Sequence, residues 1–230
     1  MVTKAALVLL LTLVTVGVAA QDASQPPREL PASAGTRLAA SLQAAQRHMT
    51  HVWRDTPPIN VDGTLNVYVE IARGDRRKWE FDMLANARAI DRMIPRHIGG
   101  YPVNYGFVPQ TISYDGDPFD ALVLGPPVPG GTVVRGAAVG VMFMDDETGL
   151  DSKVIVSRVD ITGRPLHHLS ASVQREIAAF FDRYKDHEPA KFSNVPGWGS
   201  AAEGLAFIRT THAFFRECSR AADTSCIVQQ

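Results

Sequence analysis

Apolar and polar positions along this chain repeat with two different periods. Between Thr36 and Asp55, Leu38, Leu42, Ala45 and Met49 recur at steps of three and four, which predicts a helix that Pro57-Pro58 ends. From Leu65 the period falls to two. Asn66-Val67-Tyr68-Val69-Glu70-Ile71 predicts a strand, Arg73-Gly74-Asp75 a turn, and Lys78 to Asp82 a second strand. Shorter strands are expected at Ile90 to Met93, Phe107 to Ile112, Ala121 to Leu124, Thr132 to Met144 and Lys153 to Val159. The helical period returns from Ser170 to Asp186, with Val173, Ile177, Phe180 and Phe181 inward, and again from about Ser200 to Arg216. Many short strands followed by helices predict a β-rich α+β fold, a small barrel with flanking α-helices packed outside it.

The N-terminus carries a different pattern. Met1 to Lys4 holds one side-chain positive charge, Ala5 to Val18 is apolar, and Val18-Ala19-Ala20 places small residues before Gln21. That is the layout of a cleaved signal peptide over residues 1–20. The run falls short of the ~20 apolar residues of a spanning helix; an uncleaved anchor is the alternative. Residues 21–58 read as a linker, with Pro26, Pro27 and Pro31, followed by the N-terminal helix, and residues 59–230 as one domain. Secretion, most simply to a bacterial periplasm, is the expected localisation, with no membrane contact once the signal is removed. Cys218 and Cys226 fit an oxidising compartment as a local disulfide; two free thiols are the alternative.

The chain has 230 residues, 45% hydrophobic and 20% charged, so general disorder is excluded. A formal net charge of −1 argues against a nucleic-acid partner. Chemistry concentrates in Asp115-Gly116-Asp117-Pro118-Phe119-Asp120, three carboxylates in six residues. Their repulsion calls for a counter-charge, and hard oxygen donors suit Mg²⁺ or Mn²⁺. Asp145, Asp146, Glu147 and Asp151 form a second acidic group. The stretch after Asp145 lacks the alternation and closing Glu of an EF-hand, and His167-His168 lack the spacing of a zinc site. Each acidic group taken alone also reads as a solvated turn. Lys78 and Glu80 share one strand face, Asp91-Arg92 ends another strand, Lys153 follows Asp151 by two, and Tyr184-Lys185 ends the long helix. Oxygen ligands for several metal ions, with Lys and Arg donors beside them, are the components of metal-assisted phosphate chemistry.

In this order the residues resemble the soluble, Mg²⁺-dependent family I inorganic pyrophosphatases, over about Leu65 to Trp198. The likeness is carried by Val69-Glu70-Ile71, Lys78-Trp79-Glu80, Asp91-Arg92, Tyr101-Pro102-Val103-Asn104-Tyr105-Gly106, Asp115 to Asp120, Asp146 with Asp151 and Lys153, and Phe180-Phe181 with Tyr184-Lys185. Ala72 stands where the family has Pro, and Trp79 where it has Tyr. The resemblance implies a five-stranded, OB-like barrel that hydrolyses pyrophosphate with several Mg²⁺ ions, Mn²⁺ being an alternative. It implies that Asp115, Asp120, Asp146 and Asp151 are metal ligands, and that Glu70 and Glu80 act through metal-held water. Asp117 would be the general base, with Tyr105 tuning the nucleophile. Lys78, Arg92, Lys153, Tyr184 and Lys185 would hold the phosphoryl groups. A homo-oligomer, the hexamer of bacterial relatives, is implied in the same way. The alternatives are hydrolysis of another phosphoanhydride, such as short polyphosphate or a nucleotide, and an OB-type binding module without catalysis.

Overall fold

The computed structural model describes Arg37, residues 50–83 and residues 85–220. The elements in chain order are α1 (Val52–Asp55), β1 (Leu65–Ile71), β2 (Arg77–Asp82), β3 (Ala87–Met93), β4 (Asn104–Phe107), β5 (Asp120–Leu124) and β6 (Val133–Asp146). They continue with β7 (Gly149–Leu150), β8 (Lys153–Arg158), α2 (Ala171–Phe181), β9 (Ser193–Gly199) and α3 (Ala201–Arg220). Five strands close a ring in the order β1-β4-β5-β8-β6, because β6 pairs back onto β1. All ring pairings are antiparallel except β5 with β8, which aligns Ala121 with Val154 and Val123 with Val156. β2 and β3 form a separate hairpin, and β9 adds to the outer edge of β6.

The expected barrel with flanking helices is therefore the fold. β5 shows why its residues are apolar without a break. Side chains alternate across a strand. Ala121 and Val123 join a core cluster with Phe207 and Ile208 of α3, while Leu122 and Leu124 join another with Ile177, Phe180 and Phe181 of α2. Both faces are covered, so neither is polar. Gly106 on β4 lies so close to β1 that a Cβ there would fall on the Tyr68 carbonyl.

Several elements depart from the sequence expectation. The Thr36–Asp55 helix lies mostly outside the described residues. In its described part Thr50 and His51 are not helical, and helix resumes only as the single turn α1. His51 caps that turn, accepting from the Arg54 N–H at 3.2 Å. Trp53, only 1% exposed, packs with Phe81, Phe107, Phe214 and Phe215, so this segment is part of the core rather than a lead-in to it. Phe107 to Ile112 is strand only at Phe107. Beyond it Gln110 N–H donates to the Trp53 carbonyl and Ile112 N–H to the Thr211 carbonyl, so the run is buried against α1 and α3 without a strand partner. The Ser170–Asp186 helix stops at Phe181, and Tyr184 and Lys185 stand in the turns that follow. β9 contains Pro196 and two glycines, which hid an edge strand. α3 begins after Ser200, whose hydroxyl and amide pair reciprocally with Glu203, and runs four residues past Arg216 to Arg220.

Cys218, on α3, is disulfide-bonded, and the chain's other cysteine, Cys226, lies outside the described residues. Among the described residues no helix is long and apolar enough to cross a membrane.

Candidate active site

The acidic turn is built from its apolar residue outward. Phe119 is fully buried and stacks on Phe207 of α3, and its N–H donates to Thr111 Oγ1 at 2.7 Å. That anchor leaves Asp120 as the first residue of β5 and holds Asp115-Gly116-Asp117 as a turn before it. Gly116 has φ +86°, a conformation open to glycine. Asp115 Oδ1 accepts from the Asp117 N–H at 2.9 Å, and the Ser113 N–H donates to the Asp117 carbonyl at 2.6 Å.

The parallel register of β5 and β8 sets Lys153 beside Asp120. Its ammonium donates to Asp120 Oδ2 at 2.6 Å and to Asp151 Oδ1 at 2.7 Å. Tyr105, on β4 at the other side of β5, donates its hydroxyl to the same Asp120 oxygen at 2.5 Å. Glu70, on β1, accepts from the Phe81 N–H at 2.8 Å. The β2–β3 hairpin forms one wall: Lys78 reaches Glu80 at 2.7 Å and Asp91 at 3.3 Å. Arg92 reaches Asp91 at 2.6 Å and Glu188 at 2.9 Å. Opposite, Lys185 bonds Asp146 at 2.6 Å and Glu147 at 2.9 Å. These groups surround one cleft of about 720 Å³.

All thirteen residues singled out from the sequence meet here, but not in one layer. Twelve line the cleft. Lys153 does not: it is 1% exposed, and its charge is spent beneath the floor on Asp120 and Asp151. Lys153, expected from the family resemblance to hold a phosphoryl group, stands here as a buried counter-ion to these two carboxylates. Other charged residues lie in or beside the cleft that were not singled out as site residues: Asp91, Glu147 and Arg37 line it, and Glu188 pairs with Arg92 at its edge. Asp91 and Glu147 were visible in the sequence, beside Arg92 and Asp146. Glu188 and Arg37 carried no signal. Arg37 bonds Asp117 Oδ1 at 2.8 Å and the Gly116 carbonyl at 2.6 Å.

Burial raises the pKa of Glu70 well above the carboxylate norm, and the charge of Asp120 adds to it. Asp115 is raised by burial and by Asp120. Asp117 keeps about half of its side-chain surface open but is enclosed by the cleft, and it is pushed up to about 6 by desolvation there and by the charge of Asp115, with Arg37 pulling the other way. Asp151 is raised by burial, against the pull of Lys153. Burial disfavours the Lys153 ammonium too, but the charges of Asp120 and Asp151 outweigh it and hold the proton on. Tyr105 is raised by burial and by Asp120, so its hydroxyl stays a donor. On the opposite wall burial works against the Asp146 carboxylate, yet the hydrogen bond from Lys185 lowers its pKa.

Carboxylates this crowded and this hard to ionise are short of positive charge. Among the described residues no three His, Cys, Asp or Glu are gathered closely enough to enclose an ion as they stand. Their donors are all oxygen, however, and their raised pKa values mark a place where a hard divalent cation would relieve repulsion. The donor set fits Mg²⁺ or Mn²⁺.

The chain is similar to known proteins. The inorganic pyrophosphatase family profile matches residues 67–216. An inorganic pyrophosphatase of Rickettsia prowazekii is 40% identical over 153 residues, 63% of this chain and 88% of that one. That of Saccharolobus solfataricus is 38% identical over 152 residues, with 63% and 88% covered. The solved structure of the Thermus thermophilus inorganic pyrophosphatase superposes with a TM-score of 0.66 at 31% identity, covering 73% of this chain and 99% of that chain.

Proposed function

Because the chain belongs to the soluble family I inorganic pyrophosphatases, its reaction is the hydrolysis of inorganic pyrophosphate to two phosphates, and we propose that Asp117 is the general base of that reaction. The observation that carries the reading is the convergence of Asp115, Asp117, Asp120 and Asp151 on one cleft whose walls carry Lys78, Arg92 and Lys185. Pyrophosphate is strongly anionic and repels a nucleophilic oxygen, so the site must neutralise it first. Asp115, Asp120, Asp146 and Asp151 would hold Mg²⁺ or Mn²⁺, with Glu70 and Glu80 beside them. Such ions supply charge neutralisation and a more acidic water.

The chain's own residues account for the rest. Asp117 accepts the proton of the attacking water as the new P–O bond forms and the bridging P–O bond breaks. A carboxyl with a pKa of about 6 is a stronger base than an ordinary Asp and is still ionised at neutral pH. Lys78, Arg92 and Lys185 exchange carboxylate partners for phosphoryl oxygens, and Tyr184 lies beside them on the cleft wall. Lys153 and Tyr105 keep Asp120 in place from two sides. No covalent enzyme intermediate is required.

The test is phosphate release from pyrophosphate by the purified mature chain, with Mg²⁺ and with EDTA, beside Asp117→Asn. Release that needs Mg²⁺ and falls by at least about 10²-fold in the variant is expected. Full activity in the variant would remove Asp117 from the base role, and activity in EDTA would remove the metals.

The reading extends to place and assembly. Residues 1–20 have the pattern of a secretion signal and Cys218 is disulfide-bonded, which together support a periplasmic enzyme. Cell fractionation reads this directly. A homo-oligomer, with the hexamer of bacterial relatives as the expected form, is read by light scattering of the mature chain.

A further inference from the structure

Arg37 lies 30 residues before the first residue matched by the family profile, Val67, yet its guanidinium stands in the cleft. It makes two contacts there. Nη2 donates to the Gly116 carbonyl at 2.6 Å, and Nη1 pairs with Asp117 Oδ1 at 2.8 Å. These are the tip of the acidic turn and the carboxylate of the next residue. From within, the same turn is held by Asp115 Oδ1, which accepts from the Asp117 N–H. The contacts span 79 residues of sequence, so no local turn explains them. Fourteen residues further along the chain, the His51 ring bonds the Met83 carbonyl, and Trp53 is buried in the core. A guanidinium tethered within so few residues of a fixed point meets the turn at high effective concentration.

We propose that Arg37 is a positioning residue for Asp117, supplied by the segment that precedes the family-matched part of the chain. The proposal rests on the reading of Asp117 as the base. Asp117 is half-exposed, and among the described residues Arg37 is the one cation paired with its carboxylate. Without a partner such a side chain samples several rotamers. The planar fork of Arg37 ties a backbone oxygen and a carboxylate oxygen together, which fixes the carboxylate relative to its own turn. One oxygen is then committed to the clamp, and the other is presented to the attacking water.

Asp117 and Arg37 should therefore act as a unit. In the full mature chain at saturating Mg²⁺, Arg37→Ala is expected to lower kcat about 10-fold or more, since small misplacements of a reacting group cost that much, while KM for pyrophosphate stays within about two-fold. Arg37→Lys keeps the charge and loses the fork, and is expected to recover only part of the loss. The deciding measurement is the double-mutant cycle: Arg37→Ala added to Asp117→Asn should slow the enzyme no further. Three results would overturn the proposal: unchanged or raised kcat in Arg37→Ala, which for a raised kcat would make the segment an occluding cap; a changed KM at constant kcat; or a full additional loss on the Asp117→Asn background. Undiminished activity in Asp117→Asn alone would instead overturn the base assignment, so the two failures are told apart.

Discussion

Lys153 and Lys78 carry the same charge in one site and stand in opposite surroundings. Lys153 is buried between two carboxylates, whereas Lys78 stands on the cleft wall beside Glu80 and Asp91. Removing the ammonium of Lys153 leaves Asp120 and Asp151 facing each other in a buried place, which typically costs ~3–5 kcal/mol. Lys153→Ala is therefore expected to unfold several degrees earlier without metal, seen by calorimetry. Lys78→Ala should keep its melting temperature and raise KM for pyrophosphate. Equal melting temperatures for the two variants would contradict this division. Asp117 adds a sign argument. Its folded pKa, about 6, exceeds the ordinary value of 3.8, so its share of stability is present below that ordinary value and lost as pH rises through 6. Asp117→Asn should then melt higher than the parent at pH 8 and no higher at pH 4. At this scale the sequence was read well where chemistry lay in short runs, as in Asp115 to Asp120. The burial of Lys153 was not legible, because spacing puts a lysine next to acids without saying whether it faces solvent. Arg37 was out of reach, since nothing in its neighbourhood refers to Asp117.

Strands and helices with one dominant period were legible, and those held by tertiary contacts were not. β1, β5 and β8 follow their β-branched residues, while the apolar run after Phe107 is spent against α1 and α3. The single turn of α1 is the extreme case, as a helix this short has no stability of its own. It is kept by Trp53, whose indole donates to the Thr111 carbonyl at 3.0 Å, and by its cap, His51. The cap fixes a tautomer. Nδ1 accepts from the Arg54 N–H, so Nε2 carries the hydrogen given to the Met83 carbonyl at 2.8 Å. Burial lowers the pKa of His51, with Met83 opposing and the charge of Arg54 assisting. For a histidine held neutral by the fold, stability is present above the unfolded pKa of ~6.5 and lost as pH falls from there through the lower folded value. His51→Ala is expected to cost roughly 1 kcal/mol at pH 8, the worth of a lost cap, with the difference from the parent shrinking by pH 5.5. A difference that does not change with pH would mean the imidazole contributes shape alone.

Across the whole molecule, the run of short strands predicted a small barrel, but its pairing order was not legible, because period and length do not say that β6 returns to β1 or that β5 and β8 run parallel. That parallel pair sets the ion pair at the floor of the site, so topology and chemistry are coupled there. The remaining carboxylates are a stability deficit: Glu70, Asp115 and Asp117 all ionise against burial and against one another. A cation that binds only the folded chain must repay that deficit, by about 2.7 kcal/mol at one hundred times its dissociation constant. The melting temperature of the mature chain should thus climb with the logarithm of Mg²⁺ concentration and return in EDTA. The gap between loaded and metal-free protein should widen as pH rises through 6, because the raised pKa values penalise the metal-free fold only once these groups ionise. Asp115→Asn should start higher without metal and respond less. A melting temperature indifferent to Mg²⁺ in the parent would mean that the acids are not the cation's seat, whatever the family does.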